Sequence, residues 1–375
     1  MLSGMTTDET YLCPDCGVRS PVSELTWHCP RCGGPWDLDF TAAPVDRSAL
    51  AGRVNSLWRY EEVLPLPAVP APHASLGEGR TPLVALTDGV SAKLDYLMPT
   101  LSFKDRGAVL LAELASRLGA RRVVADSSGN AGTAVAAYGA RAGLDCTVYV
   151  PEATSPKKLE QIAAHGARLE IVPGDREATA QAARAAADEP GVFYASHVYN
   201  PYFLHGTKTY VYELWEDLGG RLPDTLVVPA GNGTLLLGAA LATAELHAHG
   251  LIPRRPALLA VQAAAVAPLA EAYAAGADTA TAAPAAPTLA EGIAITAPPR
   301  ARQILRAVRE SGGGFRTVTE DQIRDAQRDL ASRGLFVEPT SAVCWAAVRA
   351  EPPAGSAVVP LCGAGAKTGL APAVR

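Results

Sequence analysis

The chain has 375 residues, 48% of them hydrophobic and 19% charged, with a formal net charge of -5. That length predicts about two domains, each large enough for its own core. The mild, evenly spread acidity argues against a nucleic-acid surface or an anionic membrane partner, and no apolar run is long enough to span a bilayer.

The first residues, "MLSGMTTDETYL", lack a basic segment followed by an apolar one, so no signal peptide is expected and the expected location is cytoplasmic. Cys13, Cys16, Cys29 and Cys32 then form C-x2-C-x12-C-x2-C, in two knuckles, "CPDCG" and "CPRCG". Each knuckle bends the backbone so that two thiolates face one centre, and the pair completes a tetrahedral zinc site. Residues 1–40 are therefore read as a zinc ribbon. Four protein ligands close the site, which makes the metal structural; a pair of disulfides would be disfavoured in a reducing cytosol. His28 is read as a surface neighbour of Cys29. The ribbon's basic residues, Arg19, His28 and Arg31, stand among Asp8, Glu9, Asp15 and Glu24, which leaves no cationic footprint for DNA or RNA.

Residues 41–75 are expected to be a proline-rich linker, extended and semi-rigid. In "LSFKDRG" Lys104 stands just where a buried helix should start. A lysine is almost never fully buried without a partner, so Lys104 either reaches water or bonds something in a cleft. From there strands and helices alternate. Strands are predicted at 121–126, 146–151, 168–174, 192–196 and 225–229, and another begins at 356. Helices are predicted at 133–143, from Pro156 with Ser155 as N-cap, at 176–189 and at 234–250. Residues 262–288 are alanine-rich and read as a helix followed by a loose surface loop. Such alternation predicts open parallel sheets covered by helices on both faces. Three small-residue loops, "SSGNAG", "GNG" and "CGAGAKTG", each follow a strand, where ligands of such folds gather.

Nucleotide signatures fail on these loops. "CGAGAKTG" lacks the glycines of a Walker loop, and "GNGTLLLG" places its third glycine two residues late for a dinucleotide fingerprint. A single phosphate fits better, because the turn 230–234 can aim backbone N–H groups from the start of the following helix. A purely structural strand-to-helix turn would use the same glycines. A lysine aimed at a cleft that also binds one phosphate suits pyridoxal phosphate, whose aldehyde bonds the amine.

Read in order, "LGEGRTPL", "LSFKDRG", "SSGNAGTAVAAYGARAG", "NPYFLHGTKT", "VVPAGNGTLLLG", "EPTSA" and "PLCGAGAKTG" resemble threonine synthase and its relatives, pyridoxal-phosphate enzymes of the tryptophan-synthase-β type. The resemblance runs from residue 76 to 367, and a four-cysteine ribbon also occurs in threonine-synthase-like proteins. It implies an α/β, two-lobed, parallel-sheet fold of type II over 76–375, with a smaller lobe near 118–207, and a homodimer acting on an amino acid. It further implies that Lys104 carries the cofactor and then shuttles protons, that Phe103 walls the pocket, and that Asn130 bonds the pyridine 3′-oxygen. Gly231, Asn232, Gly233 and Thr234 would bind the cofactor phosphate. Ser127, Ser128, Gly129, Ala131 and Gly132 would hold the substrate carboxylate through N–H groups. Cys362 falls where relatives place Thr, Ser or Cys against the pyridine nitrogen; a neutral partner there suits elimination or replacement over transamination. Two residues keep a second reading: Asn130 as a helix N-cap, and Cys362 as a buried thiol without a role. His205 either lines the pocket or is structural, His197 flanks the same motif, and Cys146 and Cys344 are read as core.

Three features depart from threonine synthase. Phe203 stands where "NPYR" would place an arginine for the substrate phosphate, and a phenyl ring cannot replace a guanidinium fork. "TLAEGIAI" at 288–295 is closer to serine/threonine dehydratases. "CGAGAKT" keeps Lys367 but loses the Asn and Asp of "TGNGLKD". The expected chemistry is elimination or replacement at the β or γ carbon of an amino acid, with O-phosphohomoserine to threonine and phosphate as the leading reaction. A serine/threonine dehydratase, or β-replacement on phosphoserine as in cysteate-synthase-like relatives, is the alternative.

Overall fold

Glycine closes both knuckles of the N-terminal ribbon in the same way. Gly17 and Gly33 turn left-handed, at φ 72° and 71°, and return their N–H groups to the carbonyls of Cys13 and Cys29 at 3.0 and 2.8 Å. Strands β1 (Thr10–Leu12), β2 (Arg19–Pro21) and β3 (Asp37–Asp39) pair antiparallel in the order β2-β1-β3. The structure, a computed structural model, describes residues 9–67 and 73–371. Residues 1–8 of the expected ribbon and 68–72 of the expected linker lie outside it.

Where a spacer was expected at 41–75, the described residues fold into short 3-10 turns at Arg47–Gly52, Leu57–Arg59 and Glu61–Val63. Leu57, Trp58, Leu64, Leu66 and Ala74 are buried in the same core as Tyr11, Trp36 and Leu110. The prolines fix the backbone, but the apolar residues between them decide where it goes, because each gains more from burial than from solvent.

The remaining strands are β4 (Leu83–Thr87), β5 (Val90–Lys93), β6 (Arg122–Ala125), β7 (Cys146–Pro151), β8 (Arg168–Val172), β9 (Val192–Tyr194), β10 (Thr225–Pro229), β11 (Ala257–Ala263), β12 (Gly314–Val318) and β13 (Ala357–Pro360). The chain divides into two compact units, one holding the described residues of 1–45, 49–78 and 104–206, the other those of 46–48, 79–103 and 207–375. In the first unit a parallel sheet runs β8-β7-β6-β9, and the helix Asp105–Arg117 packs on the helix Asn130–Arg141. In the second the order is β12-β11-β10-β13-β5-β4, parallel except for the antiparallel edge strand β4. Among the described residues no helix is long and apolar enough to cross a membrane. Cys146 and Cys344 are buried as expected, and burial pushes the Cys146 thiol up to about 12.

Residues 262–263 belong to β11, not to a helix; the helix of this stretch is Pro268–Ala274. A strand buried on both faces shows no period of two, and alanine hides it further. Ser155 does stand at an N-cap with Pro156 next, but its side chain makes no capping bond. The side-chain caps are instead Asp175, which accepts from the Glu177 and Ala178 N–H groups, and Thr319, which closes a capping box with Gln322.

Candidate active site

Lys104 is the N-cap residue of the helix Asp105–Arg117 and already has helical dihedrals, φ -61° and ψ -24°. Its carbonyl accepts the Ala108 N–H at 2.9 Å, while its side chain takes no part in capping. The chain therefore uses the Lys104 backbone to start a helix and keeps the amine out of the cap. Nζ lies over the Phe203 ring, 5.3 Å from its centroid. His197 packs on the same ring at 5.8 Å with planes at 63°. Phe203 is wholly buried, and it can come this close because Gly107 has no side chain; a Cβ there would overlap the ring carbons. Burial, and then the charges of Lys104 and Arg176, hold the His197 imidazole well below its ordinary range, so it is neutral beside the amine. The sequence offered no sign of this trio, because its members are 93 and 6 residues apart in the chain (197 − 104 and 203 − 197).

The loop after β6 is built on Gly129. Its N–H donates to Ser127 Oγ at 3.3 Å, and its carbonyl accepts from the Thr133 N–H at 3.1 Å. Gly129 is the N-cap and Asn130 the first helical residue, so the expected alternative of Asn130 as the cap does not hold. Ser127, Ser128 and Gly129 are half-buried, while Ala131 and Gly132 are buried. A Cβ on Gly132 would overlap the Ser127 carbonyl oxygen, so the turn is as tight as its backbone allows. β9 pairs with β6 in parallel, which brings the loop carrying His197 out at the same sheet end.

In the second unit β10 and β13 are hydrogen-bonded neighbours, so the loops 230–233 and 361–366 leave the sheet side by side. Gly233 takes φ +71° as the N-cap of the helix Thr234–Ala248. The first turn of any helix has N–H groups without an intrahelical acceptor, and the axial dipole favours an anion there. Gly231 lies so close to the backbone of Ile293 that a Cβ would stand 2.8 Å from its Cα. The Ala230 carbonyl is fixed by Gln262 Nε2 at 3.0 Å, and Gln262 Oε1 accepts from Leu269 and Ala270. Gln262 thus sets the start of the turn; it was hidden in an alanine-rich stretch. Replacing Gly233 by alanine should cost about 1–2 kcal/mol in left-handed strain alone, before the overlap of the new Cβ with Ile304. Its Kd for pyridoxal phosphate, measured by equilibrium titration of the cofactor-free protein, should rise at least about tenfold.

Cys362 is 2% exposed, and its carbonyl accepts the Phe103 N–H at 2.8 Å. Phe103, half-buried, immediately precedes Lys104. Next to Cys362, the Gly363 N–H donates to Ser341 Oγ at 2.7 Å. The Glu338 carboxyl occupies the space that a Cβ on Gly363 would need. The sequence marks Glu338 and Ser341 only as parts of "EPTSA". Their placement here follows from Pro339, which opens the helix Pro339–Ala350 and leaves Glu338 at its N-cap.

The four ribbon sulfurs lie within 4.8 Å of one another, with Cys13 to Cys32 at 3.4 Å and Cys16 to Cys29 at 3.5 Å. These spacings are far above a disulfide bond and suit four thiolates around one ion. Burial pushes the Cys13 thiol up to about 12, so an ion entering the cluster displaces a proton there.

Residues 74–363 match the family described as pyridoxal-phosphate dependent enzyme. This chain belongs to that family. The pyridoxal-phosphate enzyme is 32% identical over 349 residues to the threonine synthase of Methanosarcina acetivorans, across 90% of this chain and 85% of that one. Among solved structures it is similar to a threonine deaminase, isoform 2 of Solanum lycopersicum in its processed form, with a TM-score of 0.68 and 20% identity over 87% of this chain and 92% of the other. Maize serine racemase shares the fold at a TM-score of 0.67 and 21% identity, over 87% and 94% of the two chains. The residues present fit the family's cofactor. A lysine starts a helix beside a neutral imidazole, a glycine turn opens a helix N-terminus, and a buried thiol follows β13.

Proposed function

We propose that this enzyme eliminates or replaces a substituent at the β or γ carbon of an amino acid, as a carbon–oxygen lyase of the threonine-synthase type. The observation that carries the reading is the half-buried Lys104 amine poised beside a neutral His197. Lys104, Phe103, Asn130, Gly231, Asn232, Gly233, Thr234 and Cys362 hold the cofactor. Ser127, Ser128, Gly129, Ala131 and Gly132 hold the substrate carboxylate through backbone N–H groups. When bound, pyridoxal phosphate supplies the electron sink that makes the substrate α-carbon acidic. Lys104 Nζ removes the α-proton and returns a proton once the leaving group has gone. The neutral His197 adds no second positive charge beside Nζ, so it does not oppose protonation of the amine. Phe203 closes the floor beneath the amine and keeps water from it.

By the weight of the relatives, O-phosphohomoserine to threonine and phosphate is the leading reaction. Phe203 favours a second reading, in which an uncharged hydroxy amino acid is dehydrated as by a serine/threonine dehydratase, since the ring offers no hydrogen bond to a phosphate. Zinc in the cysteine cluster, a homodimer and a cytoplasmic location belong to the same reading. The deciding experiment adds O-phosphohomoserine, serine, threonine and phosphoserine in turn to the loaded enzyme, while its visible absorption, free phosphate, threonine and 2-oxo acid are followed. Phosphate and threonine released together from O-phosphohomoserine establish a threonine synthase. A 2-oxo acid from serine or threonine, with no phosphate-ester turnover, establishes the dehydratase. A protein that binds no cofactor would refute both.

A further inference from the structure

The cysteine ribbon is keyed into the loop 196–203 that follows β9. The Trp36 N–H donates to the Tyr199 carbonyl at 3.1 Å, and Asn200 Nδ2 donates to the Tyr11 hydroxyl at 3.3 Å. Tyr11 and Trp36 are each 1% exposed and stack on one another at 5.6 Å, 11° from parallel. Trp27 adds its edge to the Tyr199 ring at 5.2 Å. None of these three aromatic residues is needed to gather four thiols.

On the receiving side Asn200 is the hub of a turn. Its N–H reaches the Ser196 carbonyl at 3.2 Å, Oδ1 accepts from Tyr202 N–H at 3.0 Å, and its carbonyl accepts from Phe203 N–H at 3.3 Å. Fixing the Asn200 amide therefore fixes the entry to the helix Pro201–Thr207, and with it the Phe203 ring. That ring is the surface against which the Lys104 amine and His197 are set. A module that only enlarged the core could dock through apolar contact anywhere. Here two directional bonds meet two successive residues of the one turn that leads to Lys104.

We propose that the ribbon positions the catalytic amine, with Tyr11 and Trp36 as positioning residues that hold the turn 199–203 and so keep Phe203 and His197 against Lys104. The proposal rests on the reading of Lys104 as the cofactor-bearing amine. It also assigns the ribbon more than the purely structural part expected from its closed ligand set.

Tyr11→Phe tests it, because the stacked ring stays and only the hydroxyl goes; Trp36→Phe, which leaves every residue of the turn 199–203 unchanged, is the second variant should the first not fold. Arg19→Ala, on the exposed ribbon pair with Asp39, is the control. Amide hydrogen exchange is read in the cofactor-free full chain, and visible absorption, kcat and KM are read separately in the loaded enzyme. In Tyr11→Phe the Tyr202 and Phe203 amides should exchange about tenfold faster, the cofactor absorption should shift, and kcat should fall severalfold. The control should match the parent in every readout. A lowered melting temperature with unchanged exchange at those amides and unchanged absorption would overturn the proposal and leave the ribbon a stabilising module. If the parent itself shows no cofactor absorption, the reading of Lys104 fails, whereas the exchange result still decides whether the ribbon holds the turn.

Discussion

Lys104→Ala is expected to fold, to bind the cofactor without a covalent bond, and to lose at least about a thousandfold in turnover, the scale of a removed acid–base group. Folding should survive because the helix start uses the Lys104 carbonyl and not its side chain. The Phe203 ring would also stay in place, since Gly107 and the core beneath hold it. Mass spectrometry after borohydride reduction provides the check. The parent should gain the mass of reduced cofactor on the peptide containing Lys104, and the variant should gain none. Label on another lysine, or turnover within tenfold of the parent, would remove Lys104 from the chemistry.

The second large effect is expected from Gly132→Ala. The new methyl would fall on the Ser127 carbonyl oxygen, which is backbone and has no rotamer to escape into. Because Gly132 lies in the helix Asn130–Arg141 and the methyl has nowhere else to go, the loop of Ser127 to Gly129 must give way. Overpacking of this kind costs about 1–3 kcal/mol. If this loop holds the substrate carboxylate, the loss should fall on KM, which should rise up to about a hundredfold. The cofactor should stay bound, because the glycine turn at Gly231 to Gly233 lies after a different strand. A variant with normal KM but no bound cofactor would reverse the assigned roles of the two loops.

What could be read in the sequence was local. Each cysteine knuckle is five residues long, the turn before Thr234 is a strand end followed by a helix start, and the small-residue loops all follow β-strands as the alternation implied. The signals that failed were those set by distant partners. Nothing in "NPYF" says that its phenyl ring will fill the space left by Gly107, nor that Gln262 will anchor the Ala230 carbonyl. Strands β5 and β11 went unseen because a largely buried strand has no polar face to mark its period, and the edge strands β4 and β12 because "LVALT" and "GFRTV" do not alternate apolar with polar residues. Over 41–75 proline content describes backbone stiffness, whereas Leu57, Trp58 and Leu64 describe where the segment is buried. Asn130 looked like a cap because asparagine often is one. Gly129 holds the N-cap position instead, which makes Asn130 the first helical residue.

The position of β13 in its sheet bears on how the chain is made. It sits between β10 and β5, so the hairpin of β4 and β5, finished by residue 93, has no neighbour until residues 357–360 exist. During synthesis the first unit can close early, since its described residues end at 206. The second must wait with an open strand edge through more than 260 further residues (357 − 93). At about 5–20 residues per second that is a delay of more than ten seconds. Unpaired edges invite pairing with other chains, and the Lys93 ammonium at the end of β5, which is buried against Glu213 in the finished protein, is a charge on that edge while it waits. The nascent enzyme is thus most exposed to aggregation after β5 has been made and before its last strand has been released.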